Sequence, residues 1–264
     1  MSYEAHIQAH YKAQAELSGL GKQSTMHDDF IRDSEVRFIV GEVRRILARC
    51  GAGGSVLDLG CGNGYLLSVL EAEFPGVRFH GLEYTPELFA LAQSRGLQRT
   101  TLRQGDCREE NFPASSFDVV VTERVLINLL DRGHQLGASK RIAETLRPGG
   151  AYVMVECFDE PQANLNAARA ELCLPPIPPA HHNLYLDEEF CRAMAAFGLV
   201  EKEGQLPRNQ LSTHYFNARV LHELLLPKGG QIRNTHFVKF FDEALPPAVG
   251  NYAAVLFRLF EKIG

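Results

Sequence analysis

The sequence predicts an α/β protein whose core is a doubly wound, mostly parallel, seven-stranded sheet. Along the 264 residues, short apolar or β-branched stretches alternate with helical stretches, and a glycine-rich turn follows the first strand-like stretch. Strands that helices cover on both faces are apolar throughout, and alternating strands and helices pair in parallel through right-handed crossovers. The 45% hydrophobic content is enough for one large domain with added segments.

Seven stretches are predicted to be strands. The first five lie at 55–59, 77–83, 100–106, 117–123 and 151–157, and two more follow in "FGLVEKEG" and "YAAVLFRLFEK". In the helical stretch "TPELFALAQSRG", Thr85 is expected to cap, Pro86 suits the first helical position and Gly96 ends the helix. The stretch "HQLGASKRIAETLRPGG" is predicted to be a helix that stops at residues 148–150.

Segments outside the sheet are predicted to cover its carboxyl edge. The stretch "STMHDDFIRDSEVRFIVGEVRRIL" predicts a helix with Thr25 and Asp28 in a capping arrangement. Residues 1–50 are therefore expected to form an N-terminal helical cap, and residues 51–264 the main domain. Within that domain, the insertions at about 158–184 and 207–250 each follow a strand. From there they can cover the active site at the carboxyl edge of the sheet.

Composition disfavours several classes of function. The net charge of −5 comes without a basic run, so the sequence predicts no nucleic-acid partner. Six cysteines form no CxxC pair, which is typical of reduced thiols in the cytoplasm. We find no leader-like start and no run of about 18 apolar residues, so no membrane association is expected. Ten histidines occur without HExxH or clustered carboxylates, and no metal site is predicted.

The stretch "VLDLGCGNGYLL" places glycines at the join between a strand and a helix. Gly60 and Gly62 allow backbone angles and a close approach that a Cβ would block, and the amides that open the next helix point at a polar ligand. About 20 residues on, Glu83 ends the second strand, where a carboxylate accepts hydrogen bonds from ribose hydroxyls. A dinucleotide fingerprint needs a third glycine where Tyr65 stands. The pattern indicates a nucleoside ligand other than a dinucleotide.

Five features in order carry a resemblance to a known family. The segments "LDLGCGNG", the acid Glu83, "GDC", "FDVVVTE" and "LRPGG" resemble the class I S-adenosylmethionine-dependent methyltransferases over about 100 residues. The resemblance implies the Rossmann-like methyltransferase fold. It also implies S-adenosyl-L-methionine as cofactor and S-adenosyl-L-homocysteine as its product.

The resemblance implies cofactor-binding roles for particular residues. Those expected to contact the methionine portion, the ribose, the adenine or the sulfonium are Asp58, Gly60, Gly62, Glu83, Tyr84, Asp106, Cys107 and Glu123. Arg32, on the N-terminal helix, is the candidate for the cofactor's carboxylate by bidentate pairing. The alternative for Arg32 is a solvated helix residue paired with Asp29 or Glu35.

Four further segments resemble a narrower branch of small-molecule methyltransferases. They are "TERVLINLLD", "NLNAAR", "HHNLY" and "STHYFNARVLH", with His181 standing where that branch has an aromatic residue. The acceptor-binding residues expected from them are Arg124, Asn128, His181, Asn183, Tyr185 and Arg219. Tyr215, Arg219 and His222 form one stripe at helical spacing, which either faces the cleft or lies at the surface.

Methyl transfer to an alcohol or a protonated amine needs a base. The candidates are His182, Glu123 and Tyr215, with His181 last. His182 comes first because imidazole titrates near neutral pH, although a histidine beside a proline-rich loop is commonly a structural hydrogen-bonder.

The predicted function is methyl transfer from S-adenosylmethionine to O or N of a small polar metabolite, such as a sugar, an amino acid or a biosynthetic intermediate. The reaction is in-line attack on the sulfonium, helped by positioning and by exclusion of water. Two alternatives stay open: an RNA or protein methyltransferase, and a non-catalytic cofactor-binding module. The apolar stretch "FVKFFDEALPPAVGNYAAVLFRLF" fits either the core or a homodimer face.

Overall fold

The computed structural model describes residues 3–24, 26–50, 53–225 and 234–264. The strands are β1 (Ser55–Leu59), β2 (Arg78–Glu83), β3 (Thr100–Gln104), β4 (Phe117–Glu123), β5 (Leu146–Cys157), β6 (Leu199–Lys202) and β7 (Val255–Lys262). The helices are α1 (Tyr3–Ser18), α2 (Asp29–Cys50), α3 (Tyr65–Glu73), α4 (Pro86–Ser94), α5 (Arg132–Thr145), α6 (Asp159–Glu171), α7 (Glu188–Ala193), α8 (Ser212–Phe216), α9 (His222–Leu225) and α10 (His236–Ala244). A π-helical turn, Asn217–Leu221, joins α8 to α9, and 3-10 turns lie at Leu126–Asn128 and Met194–Phe197.

The seven strands form one sheet in the order β3-β2-β1-β4-β5-β7-β6. The first five run parallel, and β7 pairs antiparallel with both β5 and β6. Leu59 at the end of β1 pairs with Leu82 of β2 and Thr122 of β4, so Glu83 and Glu123 both lie one residue beyond it. The prediction of a doubly wound, mostly parallel, seven-stranded sheet is confirmed, and its register brings two carboxylates to one edge.

The core lies between the sheet and its helices. Every residue of β1 is buried, as is β4 from Phe117 to Thr122. Helix α2 packs on β4 and β5 through a stripe that includes Ile39 and Val43, both fully buried. Each such side chain contributes about 1.5–3 kcal/mol through burial of apolar surface, so α2 is anchored firmly enough to position side chains at the site.

Several element boundaries differ from the predicted ones. Strand β5 begins at Leu146, five residues earlier than predicted, because the glycines after the helix enter the sheet as an irregularity between the pairs of Phe117 and Val119. Thr85 is at the N-cap position of α4, but its side chain makes no capping hydrogen bond; its N–H donates to Glu83 instead. Gly96 has φ +65°, as expected of a helix terminator.

The predicted N-terminal helix is α2, which begins one residue after Asp28. The Asp28 carboxylate accepts a hydrogen bond from the Ile31 N–H at 3.4 Å, while Thr25 lies outside the described residues. The division into an N-terminal cap, a main domain and two roofing insertions stays a prediction.

The described ranges contain neither a membrane-spanning helix nor a cluster of metal ligands, and five of their cysteines are free. None of the helices there is long and apolar enough to cross a membrane. No group of three or more histidine, cysteine, aspartate or glutamate side chains in those ranges is arranged to hold a metal ion. Five cysteines of the described part are free thiols, of which only Cys173 is exposed.

Candidate functional site

One cavity lies at the carboxyl edge of the sheet. Its wall is built from the β1–α3 turn, the segments that follow β2, β3 and β4, helices α1 and α2, and the loop before α7. The glycine turn forms its floor, because the N–H groups of Gly60 and Cys61 both donate to the Leu82 carbonyl, at 2.8 and 2.9 Å. Gly60 has φ +83°, and a Cβ there would collide with the Val125 side chain.

Glu83 is a buried carboxylate that bonds to the glycine turn. Its Oε2 accepts the Gly62 N–H at 2.8 Å and its Oε1 accepts the Thr85 N–H at 2.8 Å. Burial raises the pKa of Glu83 above its ordinary value. Gly62 has φ +55°, and a Cβ built on it would meet no protein atom within 4 Å. The turn is therefore rigid on the side of Glu83 and open on the side of the cavity.

Asp58, near the end of β1, is a second buried carboxylate on the wall. Burial raises the pKa of Asp58 to about 7, with Arg32 lowering it and Glu83 raising it further. The charge of Glu83 thus opposes the ionisation of Asp58. A positively charged group near Asp58 would favour its ionised form.

Four alternating charges lie where β4 ends. The Arg32 guanidinium pairs with Glu123, Arg124 Nη2 lies 3.0 Å from Glu123 Oε1, and Arg124 Nη1 pairs with Glu35. Burial lowers the pKa of Arg32 to about 10. Arg124 has φ +57°, a left-handed conformation that is strained for a side chain of this size. The sequence left two alternatives for Arg32, a contact with the cofactor or a solvated residue in a helix ion pair. In the structure Arg32 is buried, lines the cavity and is paired with Glu123.

The turn after Arg124 is held by Glu156. This fully buried carboxylate accepts the N–H groups of Val125 and Leu126 at 3.0 Å and that of Ile127 at 3.3 Å. Burial raises the pKa of Glu156 to about 7. Because three amides converge on one side chain, the "ERVLIN" segment is a fixed part of the wall.

Asp106, Tyr84 and Cys107 line the opposite end of the cavity. Asp106 pairs with Arg108, whose Nε and Nη2 approach its Oδ2 at 2.9 and 2.6 Å. Burial opposes the ionisation of Asp106, but the pairing outweighs it and lowers the pKa of that carboxyl. Burial also raises the pKa of the Cys107 thiol to about 12, so this cysteine stays protonated.

His182 lies on the wall and packs against helix α1. Its ring lies against the His10 ring at a tilt of 33°, with 4.2 Å between centroids, and meets the Tyr11 ring edge-on at 6.4 Å. Tyr11 in turn accepts a 2.8 Å hydrogen bond from Asn128, on the turn after β4. His181, the residue before His182, is exposed. Helix α1 is therefore part of the site.

The structure brings together most, but not all, of the predicted site residues. Those that line the cavity are Arg32, Asp58, Gly60, Gly62, Glu83, Tyr84, Asp106, Cys107, Glu123, Arg124, Asn128, His182 and Asn183. Those that do not line it are His181, Tyr185, Tyr215 and Arg219. Tyr215 is buried and Arg219 half-buried, so the stripe on that helix is not a solvated surface face.

Sequence reasoning missed the contribution of α1. Ile7, His10 and Tyr11 line the cavity, and the spacing of Ile7, Tyr11 and Ala15 along one helix face was the available signal. It also missed Asn63, whose Nδ2 donates to the carbonyls of Gly19 and Gly21 at 2.8 and 2.9 Å. The glycine turn thus holds the loop that joins α1 to α2.

A second buried polar cluster lies beside the cavity. His214 has its Nδ1 2.6 Å from Asp242 Oδ2 and its Nε2 3.0 Å from Asp28 Oδ2. Burial opposes protonation of His214, but the two carboxylates outweigh burial and raise its pKa. The cluster ties the start of α2 to α8 and α10.

Comparison with known proteins extends these findings. The family model described as "Methyltransferase domain" matches residues 56–150. A probable S-adenosylmethionine-dependent methyltransferase of Mycolicibacterium smegmatis is 33% identical over 111 residues, covering 42% of this chain and 40% of that protein. The trans-aconitate 2-methyltransferase of Mycobacterium tuberculosis is 41% identical over 71 residues, which is 27% of this chain and 26% of that one. The chain spans less than half the length of these curated relatives.

The fold is also that of a solved methyltransferase. The geranyl diphosphate C-methyltransferase of Streptomyces coelicolor A3(2) superposes with a TM-score of 0.53 at 16% identity, over 86% of this chain and 80% of that one. At this identity the likeness concerns the fold alone. The family match, by contrast, spans the strands and turns from β1 to the start of β5, which build most of the cavity wall. Residues 56–150 are thus similar to a methyltransferase domain, and the fold around them is the one seen in S-adenosylmethionine-dependent methyltransferases.

Proposed function

We propose that the protein transfers a methyl group from S-adenosylmethionine to O or N of a small polar metabolite. The observation that carries the proposal is a single cavity that joins the glycine turn and Glu83 at one end to Glu123, Asn128 and His182 at the other. In this proposal, a site for a nucleoside-containing cofactor and a polar site for the acceptor share that cavity.

The residues present fit the cofactor. Arg32 Nε, Asn128 Oδ1 and Asn183 Oδ1 are buried, line the cavity and have no hydrogen-bond partner in the parts of the chain that the structure describes. Buried polar atoms are rarely left unpaired, so such atoms on a cavity wall indicate a polar ligand. The space beside Gly62 admits an approach that a side chain would block.

Each residue has a role in this proposal. Arg32 and the glycine turn would hold the methionine portion, Glu83 the ribose and Asp106 the adenine amino group, with Tyr84 and Cys107 beside the base. When bound, S-adenosylmethionine supplies an electrophilic methyl group on a sulfonium. Asp58, whose pKa is about 7, would ionise and stabilise the cofactor's positive charge.

The acceptor end is proposed from the second half of the wall. His182 and Glu123 are the candidate bases, and Asn128 and Asn183 would orient the acceptor's polar groups. Helix α1 covers this end and excludes water, which favours a small acceptor over a folded RNA or protein. The trans-aconitate methyltransferase among the relatives has a small acidic metabolite in its name, whereas the structural relative named above acts on geranyl diphosphate. Their acceptors differ, so the acceptor class here rests on the cavity.

The test combines binding and turnover. Calorimetry with S-adenosylmethionine and S-adenosylhomocysteine should show one site per chain. Transfer of labelled methyl to a panel of sugars, amino acids and small acids should exceed transfer to bulk tRNA and to peptides. Preferred labelling of tRNA or peptide would overturn the small-molecule assignment. Tight cofactor binding with no transfer to any acceptor would support a binding module instead.

A further inference from the structure

Arg219 lies in an unusual part of the C-terminal region. It is in the middle of the π-helical turn Asn217–Leu221, and its guanidinium stacks on the Tyr215 ring, 3.7 Å from the centroid. Its Nη1 is buried and has no hydrogen-bond partner among the described residues. The acidic group nearest to it in an ion pair is Asp28, whose Oδ2 is 3.9 Å from Nη2, too far for a hydrogen bond.

The position of Arg219 is fixed by its surroundings. The buried Arg169 of α6 donates from Nη1 to the Arg219 carbonyl, and its Nη2 pairs with Glu223 Oε2 at 2.7 Å. Asn217, in the same turn, donates to Asp242 Oδ1 at 2.9 Å. π-helical turns within helices are commonly found at functional sites. Here the turn and Arg169 hold in place the Arg219 guanidinium, most of whose N–H donors have no partner among the described residues.

This guanidinium lies outside the cavity wall but beside the start of α2: Arg219 Nη2 is 3.9 Å from Asp28 Oδ2, and the Asp28 carbonyl accepts the N–H of Arg32, which lines the cavity. Arg124, on the cavity wall, pairs with Glu35. Glu35 and Cys157 are both electrostatic neighbours of Tyr215, and the Tyr185 hydroxyl hydrogen-bonds Cys157 at the end of β5. Arg219 and Tyr215 are therefore coupled to charged residues at the end of β4 that line the cavity.

We propose that Arg219, stacked on Tyr215, binds a carboxylate of the methyl acceptor at a position remote from the atom that is methylated. The proposal rests on the proposed function, and it narrows the acceptor to small carboxylic acids. A guanidinium stays charged at any working pH and binds planar carboxylates by paired hydrogen bonds. Because Arg219 does not line the same cavity as Glu83 and Glu123, the bound carboxylate is an anchor and not the reacting group.

A carboxylate fits this region better than a phosphate does. Glu35 and Asp28 lie near Tyr215, and Asp28 lies near Arg219. His214 is shared between Asp28 and Asp242, and Arg124 between Glu35 and Glu123. A ligand with one negative charge is therefore repelled less by these carboxylates than a phosphate dianion would be.

The experiment uses the full chain loaded with S-adenosylhomocysteine. Succinate and benzoate are titrated at fixed ionic strength, with succinamide and benzamide as uncharged counterparts and inorganic phosphate as the competing anion. The thermal midpoint is recorded for the wild type, Arg219→Gln, Arg219→Lys and Arg44→Gln. Arg44 is the matched control because it is an exposed helix arginine that pairs with Glu73.

In the wild type and in Arg44→Gln, we expect succinate and benzoate to raise the thermal midpoint of unfolding. The corresponding amides should leave this midpoint unchanged. Arg219→Gln should abolish the shift, and Arg219→Lys should weaken carboxylate binding about tenfold, because the charge remains but the paired geometry is lost. Equal shifts with acid and amide, an undiminished shift in Arg219→Gln, or a larger shift with phosphate would each overturn the carboxylate assignment. S-adenosylhomocysteine affinity is measured first in the wild type, so its failure to bind would count against the proposed function and not against Arg219.

Discussion

The Glu83 carboxylate accepts a 2.8 Å hydrogen bond from the backbone N–H of Gly62, across the gap between β2 and the glycine turn. Its other oxygen accepts the Thr85 N–H. One side chain thus fixes both the turn and the start of α4, and it also lines the cavity. Loss of this carboxylate should therefore affect the shape of the cofactor site as well as direct binding.

Glu83→Ala is expected to weaken cofactor binding by about 1–3 kcal/mol, the usual effect of losing a charged hydrogen-bond acceptor. Thermal stability should fall as well, because two backbone donors lose their partner. Calorimetry with S-adenosylhomocysteine and a thermal melt measure the two effects. Glu87→Ala, on the first turn of α4 and outside the cavity wall, is the control. Unchanged affinity in Glu83→Ala would refute the ribose assignment.

Gly62→Ala should have two separate effects: a loss of stability from backbone strain and a loss of cofactor affinity from the added methyl group. An alanine at φ +55° costs about 1–2 kcal/mol of stability, but its Cβ meets no protein atom and would occupy space proposed for the cofactor. We expect a modest loss of stability and a loss of cofactor affinity of at least about tenfold.

The matched control is Gly96→Ala, which has φ +65°, also meets no atom within 4 Å and does not line the cavity. It should lose similar stability and keep full affinity. Gly60→Ala, whose Cβ collides with Val125, should lose more stability than either. Equal affinities for the 62 and 96 variants would remove the glycine turn from the binding site.

Asp58→Asn should change how the stability of the cofactor-free protein depends on pH. The pKa of Asp58 is about 7 in the folded state against an ordinary 3.8, so the stability that its protonated form provides is present below about pH 4. That stability is lost as pH rises through 7. Asparagine mimics the protonated acid, so the variant should be more stable than the wild type at pH 8, by on the order of 2–4 kcal/mol, and similar at pH 4.

Urea unfolding at both pH values tests this, with the exposed Asp33→Asn as control. The same Asp58 variant should bind S-adenosylmethionine more weakly at pH 8, because the negative charge is gone. A stability difference that does not change with pH would show that Asp58 is ionised in the free protein.

His182→Ala should lower turnover by about 100-fold, within the usual range for loss of a general base, while cofactor affinity changes little. His181→Ala is the matched control, because this neighbouring histidine is exposed and is not on the wall. The measurement is initial rate against acceptor concentration for both variants. Undiminished turnover in His182→Ala would remove His182 from the candidate bases.

His214→Gln should weaken attachment of the C-terminal helices. The pKa of His214 is raised, so its stabilising charge is fully present below about 6.5 and is lost as pH rises through the folded pKa. Asp28, whose pKa is lowered to about 2, contributes above about 4 and loses its contribution as pH falls through 2. The variant should lose about 3–5 kcal/mol of stability at pH 6 and less at pH 9.

Urea unfolding at the two pH values is the measurement. The exposed His236→Gln, at the start of α10, is the control. An equal loss at pH 6 and pH 9 would mean that His214 acts through packing alone, against Phe30, on which it stacks at 4.3 Å.

The sheet and the family could be predicted because their signals are local. A buried parallel strand is apolar over its whole length, as in β1, and the glycines after it are needed wherever backbone approaches a ligand. Those signals predicted the fold class, which is confirmed, and the resemblance to methyltransferases, which a methyltransferase-domain family model matches over residues 56–150. The cofactor and acceptor roles of the individual residues stay predictions.

What the sequence could not predict depends on contacts between distant segments. The pairing of Arg32 with Glu123 joins residues 91 positions apart, and no local pattern encodes it. The carboxylates around His214 are Asp28, just before α2, and Asp242 of α10, which are 214 positions apart in the sequence. The π-helical turn at Arg219 breaks the regular spacing on which the predicted stripe depended.

Helix α1 closes one side of the cavity with Ile7, His10 and Tyr11. If the proposed cofactor occupies the cavity, its path out passes these three side chains. We expect release of the product cofactor to slow when α1 is crosslinked to α4, with which it is in contact.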